Sequence, residues 1–281
     1  MLINAIILDE NSTFHEAAKE GSLEIIKYLG EQLPSLKEDL TYSDYGLFSI
    51  AATGGYLEEV KSLLEKKEVR KRIIEYIELG GNTPSLSDAA IGGHLDIVEL
   101  LLKVPEIAAH AHDMMNAPLR SAIQGGNLDV VNALLKQPMV EETVAAEGNK
   151  VLKEALQWSK NNDNFEIIKR LLSIKSVADN IDREVMLEAM FSVNPEVTKL
   201  FLDTPFFRNE DPIYAPQYLW GLVNKTGNME ILELLLKKRG FPEHVAGYEP
   251  QNAILFQAAR YGRFEMVKRL LEIYCSAIFT F

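Results

Sequence analysis

The sequence predicts an all-α solenoid of about eight helix–turn–helix units. One phrase recurs eight times in 281 residues, with apolar anchors at Leu23, Leu57, Leu95, Leu128, Phe165, Pro195, Met229 and Phe264. Successive anchors lie 34, 38, 33, 37, 30, 34 and 35 residues apart. Within the phrase, small residues precede a turn, as Ala89-Ala90 precede Gly92-Gly93, and a leucine run follows, as Leu100-Leu101-Leu102. A period near 34 residues signals one supersecondary unit stacked on itself, each copy burying the apolar face of its neighbour.

The first four copies are regular: FHEAAKEGSLEIIKYL at 14–29, FSIAATGGYLEEVKSLL at 48–64, LSDAAIGGHLDIVELLL at 86–102 and LRSAIQGGNLDVVNALL at 119–135. In the third, a first helix is expected from about Ser87 to Gly92, with alanines where helices approach closely. The Gly92-Gly93 pair supplies the turn. Asp96 opens the second helix, where a carboxylate suits the positive helix end. Ile97, Val98, Leu100, Leu101 and Leu102 form its apolar face. The fifth copy, 152–172, carries four extra residues between Ala155 and Phe165, so its first helix is longer or its turn bulges. The sixth, 187–202, replaces the turn glycine with Val193 and puts Pro195 at a helix start, where proline is tolerated. The seventh, 220–236, keeps Gly227 but has Val223 and Asn224 for the alanines, and the eighth, 255–271, is regular again.

These residues resemble the ankyrin repeat. The likeness is best in GNTPSLSDAAIGGHLDIVELLL at 81–102 and NAPLRSAIQGGNLDVVNALL at 116–135; Thr83-Pro84, Ala89-Ala90 and Gly93-His94 match the family's pattern, with Ser85 as an extra residue. His15 sits where the family places its histidine. The resemblance implies one elongated domain over residues 1–281: a cap segment at 1–13, repeats near 14–272 and an apolar tail at 273–281.

Composition narrows the function. The start, MLINAIIL, is short, lacks a preceding basic residue and ends at Asp9-Glu10, so it makes a poor secretory signal and reads as a cover for the first copy. One cysteine, Cys275, permits no internal disulfide and favours a reducing compartment. Cys275 is expected to be a half-buried structural thiol. Net charge is −12, and residues 1–60 hold eleven carboxylates against three lysines. Such an end attracts basic partners and repels nucleic acid and anionic membrane.

Catalytic signatures are missing. There is no G-x-x-x-x-G-K-[ST], H-E-x-x-H or G-x-S-x-G, and Cys275 has no histidine near it in sequence. His110 and His112, beside Asp113, lack the further ligands that structural zinc needs. The basic run at Lys66–Arg72 is broken by Glu68 and reads as a solvated helix end. No catalytic residue, cofactor or metal is therefore expected. The rival reading is an enzyme with a site in copies five to seven, where Asp163, Glu166, Glu188, Glu196 and Asp203 supply carboxylates.

The family resemblance implies binding on the finger loops and on the exposed face of the first helices. The positions carried over are Lys19, Glu20, Thr53, Ile91, Gln124, Phe191, Lys225, Arg260 and Tyr261, with Tyr42, Asp44, Tyr45, Met114, Met115, Tyr214 and Tyr218 in the fingers. Aromatic, methionine and arginine side chains dominate interface cores. The expected partner contacts are thus Tyr45, Met114, Met115, Trp158, Phe191, Tyr214, Arg260 and Tyr261. They imply a non-catalytic scaffold that binds a protein on its concave face, as a monomer, without nucleic acid or a membrane span. The degenerate later copies and the Ile-, Lys-, Asn- and Glu-rich composition resemble secreted ankyrin effectors of intracellular bacteria. That likeness implies the cytoplasm or a host cytosol; an endogenous intracellular adaptor is the alternative.

Overall fold

A computed structural model of the chain describes residues 23–32, 44–78, 84–158, 164–192, 194–209, 211, 214–246 and 253–278. The cap segment at 1–13, the first helix of copy one and Tyr42 lie outside them. Every regular element among the described residues is an α-helix. The chain packs as two compact units, Met1–Val144 and Ala145–Phe281.

In the first unit, α1 (Leu23–Gln32) is the second helix of copy one. Copy two follows as α2 (Asp44–Gly54), α3 (Leu57–Leu64) and α4 (Lys67–Glu78). Copy three is α5 (Pro84–Gly92), α6 (Leu95–Leu101) and α7 (Pro105–Ala109); copy four is α8 (Asp113–Gln124), α9 (Leu128–Leu134) and α10 (Pro138–Thr143). First helices pack side by side, α2 on α5 and α5 on α8, because Ala51, Ala52, Ala89, Ala90 and Ala122 at the contacts are fully buried and small. Second helices bury Ile97, Val98 and Leu101, or Val130, Val131 and Leu134, against the same layer.

In the second unit, copy five is α11 (Ala146–Trp158), α12 (Phe165–Leu172) and α13 (Lys175–Asp179). Copy six is α14 (Arg183–Met190), α15 (Pro195–Leu202) and α16 (Pro205–Asn209). Copy seven is α17 (Ala215–Lys225), α18 (Met229–Leu236) and α19 (Phe241–Ala246), and copy eight is α20 (Ala253–Arg260) with α21 (Phe264–Ile278).

Each complete copy thus has three helices where the sequence reads two and a loop. The third helix starts at a proline in α7, α10 and α16, where the missing N–H costs nothing. Twelve places after each repeat anchor it buries an apolar residue: Val69, Ile107, Val140, Val177, Phe207 and Phe241, with Ile73 and Ile77 added in the longer α4. Those residues follow the same period, so the third helix is part of the repeat.

Several expectations change. Helix α5 begins at Pro84, earlier than the expected Ser87. The basic run opens α4, where Lys71 and Arg72 each stand 3.5 Å from Glu75, and Arg70 Nε donates to Leu64 O at 2.7 Å. Helix α11 ends three residues past Ala155, as α5 ends three past Ala89, so α11 is not lengthened there and the extra residues of copy five fall at 159–163, outside the described residues. Residues 273–278 of the expected tail extend α21, which packs on α19; 279–281 lie outside the described residues. Cys275 is exposed on that helix, not half-buried.

Candidate partner-binding site

In the first unit the turns lock neighbouring copies together. His94 Nε2 donates to Thr53 O at 2.9 Å, reaching from copy three to the end of α2. Asn127 Nδ2 donates to Ala90 O and Ile91 O, both at 2.9 Å, reaching from copy four to the end of α5. The last carbonyls of a helix have no partner within it; here the next copy supplies one. Only glycine leaves the room. A Cβ on Gly92 would stand 2.6 Å from the His94 ring, and one on Gly125 would run into the Ile91 carbonyl oxygen and Asn127. Gly93 also sits at φ +76°, where other residues are strained.

This ladder fixes the ends of the first helices relative to each other. Thr53 is half-buried, whereas Ile91 and Gln124 are exposed. Further along, Ser49 Oγ on α2 donates to Asp88 Oδ2 on α5 at 2.8 Å. Burial pushes the Asp88 carboxyl above the usual range, and the Ser49 hydrogen bond opposes this in part.

A second device is a kink within the first turn of α8. Met114, Met115 and Asn116 adopt φ of 51°, 59° and 59°, a left-handed turn rare for non-glycine residues. Asn116 is buried, and its amide exchanges hydrogen bonds with Thr143 Oγ1 at 3.2 and 3.3 Å. The anchored turn holds Met114 at 56% and Met115 at 45% exposure. In the second unit the same turn recurs at Glu147, Gly148 and Asn149, with buried Asn149 donating to Val177 O at 3.0 Å. The turn is architecture; the pair of side chains it displays is free to vary.

The remaining expected contacts are placed as follows. Tyr45 lies on α2, and its side chain is outside the described residues. Trp158 ends α11 and is half-buried. Phe191 follows α14 and is also half-buried. Tyr214 is half-buried, with the Arg183 guanidinium carbon 3.3 Å above its ring. Arg260 ends α20 and Tyr261 follows it in the turn; both are exposed. Tyr218, read as a finger residue, is instead a core residue of α17, buried between Phe207 and Phe241 at ring distances of 6.0 and 6.5 Å.

The carboxylates behind the enzyme reading do not form one described cluster. Glu166 pairs with Lys169 at 3.4 Å, Glu196 pairs with Lys199 at 2.8 Å, and Glu188 and Asp203 belong to α14 and the end of α15. Asp163 lies outside the described residues. His110 Nδ1 bonds Asp113 at 2.8 Å, and His112 Nε2 lies 3.7 Å from the same carboxylate. These contacts hold the segment before the left-handed turn. Among the described residues no helix is long and apolar enough to cross a membrane.

Helix pairs stacked through glycine turns define a helical repeat protein. Residues 14–113 and 48–144 match the family model of ankyrin repeats, in three copies. The N-terminal part of the chain therefore carries ankyrin repeats, which generally serve as protein–protein interaction modules. No curated protein matches the chain.

Proposed function

We propose that the protein is a non-catalytic scaffold that binds a partner protein on the face bearing the first-helix ends and the segments leading into them. Residues 14–272 are read as one repeat domain, with Tyr45, Met114, Met115, Trp158, Phe191, Tyr214, Arg260 and Tyr261 as contacts. The display of Met114 and Met115 carries the reading. Two large flexible apolar side chains stand in solvent on a backbone whose strain is secured by a buried asparagine. Methionine adapts to varied apolar partners, and strained, well-anchored segments suit recognition. Acidic balance supports a protein partner with basic groups over nucleic acid. The composition and the degenerate later copies support a narrower reading, a secreted bacterial effector acting on host proteins in their cytosol.

Capture from host-cell lysate by the intact chain, compared with a Met114→Ser/Met115→Ser variant and a Trp158→Ala/Tyr261→Ala variant, tests it. Each variant should keep the wild-type helical circular dichroism and lose the captured protein. Unchanged capture by both variants would remove this face as the binding site.

A further inference from the structure

Among the described residues the methionines divide by exposure. Met186, Met190 and Met266 are buried in the layers of the second unit, at 1% exposure or less. Met229 is half-buried. Met114, Met115 and Met139 are 56%, 45% and 44% exposed, and all three belong to the first unit. They gather at one joint. Met114 and Met115 occupy the left-handed turn whose Asn116 Nδ2 donates to Thr143 Oγ1 at 3.2 Å. Thr143 Oγ1 donates in turn to Met139 O at 2.6 Å, one helical turn back along α10. The hydrogen bonds that hold the joint thus run between an amide, a hydroxyl and a backbone carbonyl. Nor does the turn require methionine: its counterpart in the second unit displays Glu147 and Gly148, both exposed, beside the same buried asparagine.

Oxidation of methionine to the sulfoxide is reversible and turns a flexible apolar side chain into a polar one. In a core that change disrupts packing; on this turn it meets solvent. We propose that Met114, Met115 and Met139 form an oxidation site for hydrogen peroxide, which switches partner capture off without unfolding the chain. The inference rests on the reading of Met114 and Met115 as partner contacts. At each thioether a sulfur lone pair attacks one peroxide oxygen, so that an S–O bond forms and the O–O bond breaks. The proton on the transferred oxygen passes to the departing hydroxide, which leaves as water. Sulfur loses two electrons and the peroxide gains them. The new S–O group is a polar acceptor that an apolar partner surface leaves unsatisfied.

Limited hydrogen peroxide treatment of the full chain, followed by peptide mass mapping, tests this. Oxygen should add at Met114, Met115 and Met139 about tenfold faster, or more, than at Met186, Met190 and Met266. While only the exposed three are oxidised, the thermal midpoint should hold and capture should fall about tenfold. Methionine sulfoxide reductase with a dithiol should restore capture. Met114→Leu/Met115→Leu/Met139→Leu keeps the apolar bulk and should capture equally before and after peroxide. Equal rates at exposed and buried methionines, a midpoint that falls with the first oxidations, or undiminished capture by the oxidised wild type overturns the proposal. An untreated chain that captures nothing overturns the binding reading and, with it, the control of capture. Mapping and midpoint separate that failure from a site that is not selectively oxidised.

Discussion

The two units build the same helix layers and join their copies by different chemistry. In the first, His94 and Asn127 spend their side chains on the preceding copy's carbonyls, so neither caps its own helix. In the second, Asp182, Asn194 and Asn228 cap their own helices, accepting from Val185, Glu196 and Ile231 N–H groups. Asn127, Asn194 and Asn228 hold equivalent places just before the anchor. Gly125-Gly126 makes room for Asn127 to cross to copy three; Ser192 and Thr226 stand where Gly125 does. Cross-copy cohesion in the second unit comes instead from ion pairs: Lys153 with Glu184, Lys199 with Glu230, and Arg269 with Glu233 at 2.7 Å. Burial lowers the Lys153 pKa, but Glu184 and Asp182 outweigh it and the net direction is upward. Lys27 with Glu59, at 3.4 Å, is the first unit's counterpart. The match to ankyrin repeats ends at residue 144, where the glycine pairs end; the layers continue without them.

If the layers are common to both units, core truncation should not distinguish them. Leu101 and Leu171 hold equivalent, fully buried places. Leu101→Ala and Leu171→Ala should each cost about 2–5 kcal/mol, measured by urea denaturation. A cost near zero for either would show that its unit is loosely packed.

The glycine ladder should distinguish them. Gly125→Ala forces a methyl into the Ile91 carbonyl and Asn127 without any φ penalty, since Gly125 sits at φ −75°. It should cost about 1–3 kcal/mol by overpacking. Ser192→Ala at the equivalent place removes an acceptor 3.3 Å from Asn194 N and should cost less, about 1 kcal/mol. An equal effect at both sites would erase the contrast.

Salt should act in the opposite sense. Both tryptophans, Trp158 and Trp220, belong to the second unit, so fluorescence follows that unit. Raising ionic strength from about 0.1 to about 1 M shortens screening from about 10 to about 3 Å. The fluorescence-detected midpoint should then fall slightly, while amide protection at Val98 in the first unit should not. A fall confined to the first unit would assign the ion pairs no part in cohesion.

Much of this scaffold was legible in the sequence. The anchors, the alanine contacts and the glycine turns appear where the 34-residue period puts them, because close helix approach admits few residue types. The third helices were missed although Val69, Ile107, Val140 and Val177 repeat at that period; outside the twelve-residue α4 they have only five or six residues, too few to show helical periodicity. Tyr218 was misplaced because copy seven lacks the alanines that set the register. The left-handed turn at Met114–Asn116 was invisible, since its anchor, Thr143, lies 27 residues away. Its signal was the spacing of Asn116 and Asn149, which matches the repeat.

The smallest expected effect separates stability from function within the first unit. Asp88 lies between α2 and α8 neighbours, and burial raises its pKa above the unfolded value of about 3.9. Between those two values the folded chain binds the proton and the unfolded chain does not. Stability therefore falls as pH rises through that window, and the loss persists at neutral pH. Asp88→Asn should accordingly be more stable than wild type at pH 7, and its advantage should shrink as pH drops and vanish below about pH 4. Thermal midpoints of both proteins across that range measure it. On the proposed reading of the first-helix layer as a binding face, the same substitution should also weaken partner capture. A variant that is less stable at pH 7 would mean that the Ser49 hydrogen bond outweighs the cost of burial, and Asp88 would then be structural.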